Sequence, residues 1–93
     1  MTKLNKILHQ ELRLSIVSYL VNVESADFNR LLEVTEATKG NLSVQLKKLE
    51  EANYISIQKS FKGNYPHTEC KITDTGQKEF KKYLKALKNM LDL

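Results

Sequence analysis

The chain has 93 residues, 41% of them hydrophobic and 28% charged, which is enough apolar side chain for one domain with one core and too much for a disordered tail. Its one cysteine, Cys70, excludes a disulfide within the chain and fits a reducing compartment, so a cytoplasmic location is expected. No apolar run approaches the ~20 residues of a membrane span. The opening stretch MTKLNKILHQELRLS is interrupted by charge throughout, unlike a secretory leader.

The first predicted element is a helix from about Asn5 to Asn22, with Leu8, Leu12, Ile16, Tyr19 and Leu20 along one face. Leu14, Val17 and Val21 lie off that face, as in a helix that is central or covered by a partner chain. Ser25-Ala-Asp27 is a helix-start signal, with Ser and Asp as candidate caps. It leads into a helix of about two turns marked by Phe28, Leu31 and Leu32. Thr35-Glu-Ala-Thr38 breaks the pattern. Thr38 is the expected N-cap of a third helix, whose seam is Leu42, Leu46 and Leu49. Asn53 is the expected residue after it, in the left-handed state that Gly tolerates best and Asn next.

Residues 54–59 partly alternate and read as a strand, Lys62-Gly-Asn-Tyr-Pro66 as a turn, and residues 68–72 as the returning strand. Thr73-Asp-Thr-Gly76 opens a long last helix striped by Phe80, Leu84, Leu87 and Leu91, with Tyr83 and Met90 beside them. The order is helix, helix, turn, helix, hairpin, helix. It predicts a mainly α fold with a small β-hairpin (α+β), a helix-turn-helix carrying a β wing. The expected parts of one domain spanning 1–93 are a core and dimerisation helix at 1–24, the helix-turn-helix at 26–53, the wing at 54–72 and a second dimerisation helix at 73–93.

Formal charge is +4 and unevenly spread. Residues 1–38 are net −1, residues 39–71 net +3 and residues 72–93 net +2, so the positive excess begins with the third helix. A basic surface attracts polyanions by releasing their counterions. A merely solvated lysine-rich surface fits the same charge.

At 100° per residue the leucine seam of the third helix leaves Gly40, Val44, Lys47, Lys48 and Glu51 on the opposite side, with Asn41 and Ser43 on its flanks. The front of that face is small or polar, and a helix N-terminus suits a phosphate. Gly40 lets a duplex backbone approach. Asn41 can pair with adenine through two hydrogen bonds, Ser43 can donate or accept, and Val44 can meet a thymine methyl. Lys39, Lys47 and Lys48 suit phosphates or guanine, and Thr38 caps the helix that offers them. Each of these residues also has a plain role: Gly40 in a tight turn, Asn41 and Ser43 in capping, the lysines in water. Lys59, Lys62, Asn64, Tyr65 and His67 sit at or near the tip of the hairpin, a basic tip suited to a minor groove. Edge lysines also deter sheet aggregation, and Tyr65-Pro66 also serves a turn.

Three spans carry a family resemblance. Leu12-Arg13-Leu14-Ser15-Ile16-Val17 resembles an R-L-x-I-L opening. Gly40-Asn41-Leu42-Ser43, with Leu46 through Ile55, resembles G-N-L-S…L-x-x-L-E-x-x-G-Y-I. Ile72-Thr73-Asp74-Thr75-Gly76 resembles L-T-x-x-G. In this order they look like a winged helix-turn-helix transcriptional regulator of the MarR/ArsR-like group, compact single-domain type. Asn53 stands where that family usually has Gly. The resemblance implies double-stranded DNA as partner, in a bacterial or archaeal cytoplasm, and a homodimer built from the first and last helices. Leu8, Leu12, Phe80, Tyr83, Leu84, Leu87, Met90 and Leu91 are the candidate interface.

His9, His67 and Cys70 are too few and too scattered for a structural zinc site, so no metal and no cofactor is expected. No catalytic constellation is present in the sequence, so an enzyme is not expected. A winged helix used only for protein–protein contact is the rival reading. It requires an apolar outer face on the third helix, where only Val44 is apolar.

Overall fold

The computed structural model describes residues 3–93. Its elements are α1 (Glu11–Leu20), β1 (Ala26–Asp27), α2 (Phe28–Thr35), α3 (Lys39–Glu51), β2 (Ile55–Lys62), β3 (Tyr65–Ile72) and α4 (Asp74–Leu91). The sheet is antiparallel, in the order β1-β3-β2. This is a winged helix fold: three helices and a small sheet around one core, with a hairpin projecting from it and a long helix closing the chain.

The first helix is shorter than its apolar spacing predicts. Asn5 Oδ1 accepts from the backbone N–H of Ile7 (2.8 Å) and of Leu8 (3.0 Å), and the Gln10 side chain accepts from Arg13 N (2.8 Å). These local bonds compete with the helical ladder, so residues before Glu11 form a turn and α1 begins under the Gln10 cap. Leu8 still reaches the core with Leu12, Ile16, Val17 and Leu20. Between the two candidate caps of α2, Asp27 does the work: its Oδ1 accepts from Arg30 N at 2.7 Å. Ala26 and Asp27 also pair with Cys70 and Glu69 as β1. A strand of two residues has no period, and nothing in the sequence marks it.

α3 forms as predicted, under a Thr38 cap that accepts from Asn41 N at 3.2 Å. Leu42, Leu46 and Leu49 are buried. Each such burial contributes about 1.5–3 kcal/mol. The helix ends in a Schellman motif: Tyr54 N donates to Leu49 O (3.0 Å), Asn53 N donates to Glu50 O (2.9 Å), and Asn53 has φ +64°.

The wing is longer and its turn tighter than the sequence predicts. Lys62 pairs with Tyr65, so Gly63 and Asn64 alone make the loop, and Gly63 takes φ +64°. Pro66 sits inside β3 opposite Phe61. In the alternation of an antiparallel ladder that pair follows a closing hydrogen-bonded one, so Pro66's missing N–H would point away from β2. There β1, which pairs only with residues 69 and 70, does not reach.

Thr73 caps α4, accepting from Gly76 N at 2.9 Å. Gly76 is buried where a Cβ would collide with Tyr54 O. The Thr73-x-x-Gly76 pattern is therefore a packing requirement between α4 and the end of α3. Tyr83 is buried, with its hydroxyl 2.8 Å from His9 Nδ1.

Candidate nucleic-acid interface

α3 projects its unburied side to solvent. Thr38, Lys39, Gly40, Asn41, Ser43, Val44, Lys47 and Lys48 are all exposed, and none of the described elements covers that side. Gly40 has open space around it, with nothing within 4 Å of where a Cβ would stand. The helix N-terminus is free on this side apart from the Thr38 cap on Asn41 N. A small-residue front followed by lysines is the shape and charge of an element that can enter a major groove.

The wing meets this face through one side of its ladder. Residues paired across antiparallel strands share a face, so Ile57, Lys59 and Phe61 lie with Cys70, Thr68 and Pro66. Cys70 and Ile57 pack toward the core, which turns Lys59 toward α3. Ser43, Lys47, Lys59 and Thr68 line one groove between helix and wing. Phe61 continues this face outward and is 74% exposed. Residue spacing does not mark Phe61, because the expected strand ends at residue 59, before it. Lys62 and Tyr65 are exposed on the opposite face, and Asn64 is exposed in the loop.

His67 stands opposite Ser60, near the tip, but its side chain is engaged within the sheet. Its Nε2 lies 2.9 Å from Glu69 Oε2, because residues two apart on a strand share a face. Glu69 Oε1 also accepts from Ser25 Oγ at 2.7 Å. With Asp27 brought opposite Glu69 by the β1–β3 register, Asp27, His67 and Glu69 offer ligand atoms within 4.8 Å of one another. Nothing in residue order marks this grouping, since Asp27 is forty positions from His67. Its atoms are already engaged in the cap of α2 and in the His67–Glu69–Ser25 bonds.

Behind the open face of α3 lies a polar feature that residue spacing does not predict. Gln45 is buried, its Oε1 accepts from Arg13 Nη1, and its Nε2 donates to Asn41 Oδ1 at 3.0 Å. Arg13 Nε in turn donates to Ile7 O at 2.7 Å. Gln45 falls between Leu42 and Leu49 on the buried side, a place where helical spacing alone predicts an apolar residue.

Two groups of expected contacts fare differently. Leu8, Leu12 and Tyr83 are buried within their own chain, because the turn before α1 folds Leu8 inward and α4 lays Tyr83 against His9 of that turn. Phe80 and Leu87 are half-buried against the same core, whereas Leu84, Met90 and Leu91 are exposed. Cys70 is enclosed in the core; burial first, then the charges of Glu69, Glu50 and Asp27, push its thiol up to about 11, so it is not a thiolate at neutral pH. No described helix is long and apolar enough to cross a membrane.

Residues 12–91 match the family model described as a winged helix DNA-binding domain. The chain belongs to this family. An uncharacterized protein of Methanocaldococcus jannaschii is 38% identical over 79 residues, 85% of this chain and 86% of that protein. A transcriptional regulator homologue from Pyrococcus horikoshii OT3 superposes with a TM-score of 0.85 at 32% identity, covering 92% of this chain and 85% of the other. The fold is also shared with Bacillus subtilis PadR, solved in complex with operator DNA, at TM-score 0.72 and 18% identity, covering 81% of this chain and 47% of PadR. The winged helix family thus supplies the frame in which α3 is the exposed second helix of the helix-turn-helix and the β2–β3 hairpin the wing.

Proposed function

We propose that this winged helix protein is a sequence-specific regulator that binds double-stranded DNA as a homodimer. The observation that carries this reading is the uncovered outer face of α3, small and polar at its front and lysine-bearing behind. α3 enters the major groove, and Lys39, Lys47 and Lys48 hold phosphates on either side. Lys59 and the wing tip follow the adjoining backbone, with Phe61 and Tyr65 poised over the minor groove. The exposed Leu84, Met90 and Leu91 on α4 support a second copy as partner. In a two-fold dimer the two α3 helices address half-sites about 34 Å apart, and occupancy of a promoter then blocks or recruits polymerase. The protein–protein reading is disfavoured because Val44 stands among polar and charged side chains on that face.

The test is duplex binding by fluorescence anisotropy across a salt series, followed by selection of bound duplexes from a random pool. The expected result is an affinity that falls steeply with salt and a selected site with two-fold symmetry. A duplex affinity indifferent to salt, or no binding, overturns the proposal.

A further inference from the structure

Asn41 is the amide that α3 offers at the front of its open face, and the fold decides which end of that amide faces out. Three hydrogen bonds run in series behind it. Arg13 Nε donates to Ile7 O at 2.7 Å, Arg13 Nη1 donates to Gln45 Oε1, and Gln45 Nε2 donates to Asn41 Oδ1 at 3.0 Å. A guanidinium has donors only. Gln45 must therefore turn its oxygen to Arg13, which leaves its NH₂ group toward Asn41. Asn41 must then turn its oxygen inward. Gln45 is 8% exposed, so water is poorly placed to substitute for either partner. A reversed Gln45 would set donor against donor at Arg13 and acceptor against acceptor at Asn41.

We infer that Arg13 and Gln45 are positioning residues that set the polarity of Asn41, so that α3 presents an amide N–H donor to one base pair. This rests on the DNA-binding reading above and specifies it. Guanine is the base whose major-groove edge carries two acceptors, O6 and N7. Adenine offers N7 but places the N6 donor beside it, cytosine offers the N4 donor, and thymine offers one acceptor, O4, beside a methyl group. The two-bond adenine pairing expected from sequence asks Asn41 to turn Oδ1 outward toward N6, away from the Gln45 Nε2 that holds it inward. The inward-held oxygen therefore selects guanine at the position Asn41 reads. Direct readout is thus governed through Arg13, a side chain on α1 that lies behind the amide α3 presents.

The variant Gln45→Glu tests this directly. Its carboxylate has two acceptors: one meets Arg13, and the other requires a donor, so Asn41 must reverse and expose its oxygen. Selection from a random duplex pool is run on the wild type, Gln45→Glu, Gln45→Met and Asn41→Ala, with melting curves for each. The wild type is expected to select guanine at one position of each half-site. Gln45→Glu is expected to shift that position at least tenfold toward adenine or cytosine, leaving the other positions unchanged. Gln45→Met frees Asn41 to turn, so guanine and adenine are both accepted there, and Asn41→Ala abolishes preference at that same position alone. An exclusive guanine preference retained by a folded Gln45→Glu or Gln45→Met overturns the inference, as does adenine or thymine selected by the wild type. If Gln45→Glu does not fold, Gln45→Met and Asn41→Ala decide the matter. A wild type that selects a site insensitive to both Gln45 variants sinks this inference alone; a wild type that binds no duplex sinks the proposed function with it.

Discussion

The Thr73 hydroxyl donates to the carbonyl of Asn53 at 2.6 Å and accepts from Gly76 N at 2.9 Å, so one oxygen ties the end of α3 to the start of α4. The backbone completes the joint, with Thr73 N donating to Tyr54 O at 3.0 Å. Losing the hydroxyl removes a helix cap and leaves the Asn53 carbonyl without that donor. Thr73→Ala is expected to lower stability by about 1–2 kcal/mol, and Thr73→Ser to recover most of it. Equilibrium denaturation of the three proteins measures both.

Gly76 offers a sharper perturbation. A methyl group there meets the Tyr54 carbonyl and Ile72 Cγ1, and the carbonyl belongs to a backbone already bonded to Thr73. Gly76→Ala is expected to destabilise by about 1–3 kcal/mol despite its gain in helix propensity. Gly40→Ala, with open space around it, is the matched control and is expected to raise stability slightly. Thermal melts of the pair separate crowding from propensity.

Asn53 holds φ +64° at the end of α3. Asn53→Gly is expected to leave stability within about 0.5 kcal/mol, since relief of the left-handed cost offsets added freedom in the unfolded chain. Asn53→Val is expected to cost about 1–2 kcal/mol. Denaturant midpoints report the difference.

On DNA, the lysines and Asn41 are expected to separate cleanly. Lys47→Ala and Lys48→Ala should weaken all sequences alike and each reduce the slope of log affinity against log salt by about 1. The measurement is a salt titration on one selected duplex and one scrambled duplex.

The oligomeric expectation concerns α4. Leu84→Asp combined with Leu91→Asp places charge on two exposed positions, so the fold is expected to survive while the assembly becomes monomeric. Sedimentation gives the mass, and duplex affinity for a two-half-site operator should fall with it. A wild-type protein that is already monomeric would contradict the dimer.

Much of the fold is local and therefore readable from residue order. The leucine seam of α3, the Thr38 and Thr73 caps, the left-handed Asn53 and the hairpin each depend on residues within a few positions of one another, and short-range spacing and side-chain chemistry determine them. So does the character of the open face of α3, because whatever lies opposite a buried seam is left outside. What required the tertiary structure depends on contacts between residues far apart in the chain. The two-residue β1 exists only because Cys70 and Glu69 pair with it. Leu8, Leu12 and Tyr83 have the spacing of an interface, yet they are used up inside, since periodicity says which residues are apolar and not which chain they meet. The Arg13–Gln45–Asn41 series joins residues up to thirty-two positions apart, and hydrogen-bond direction, which orients the amide, passes only through groups already folded into contact.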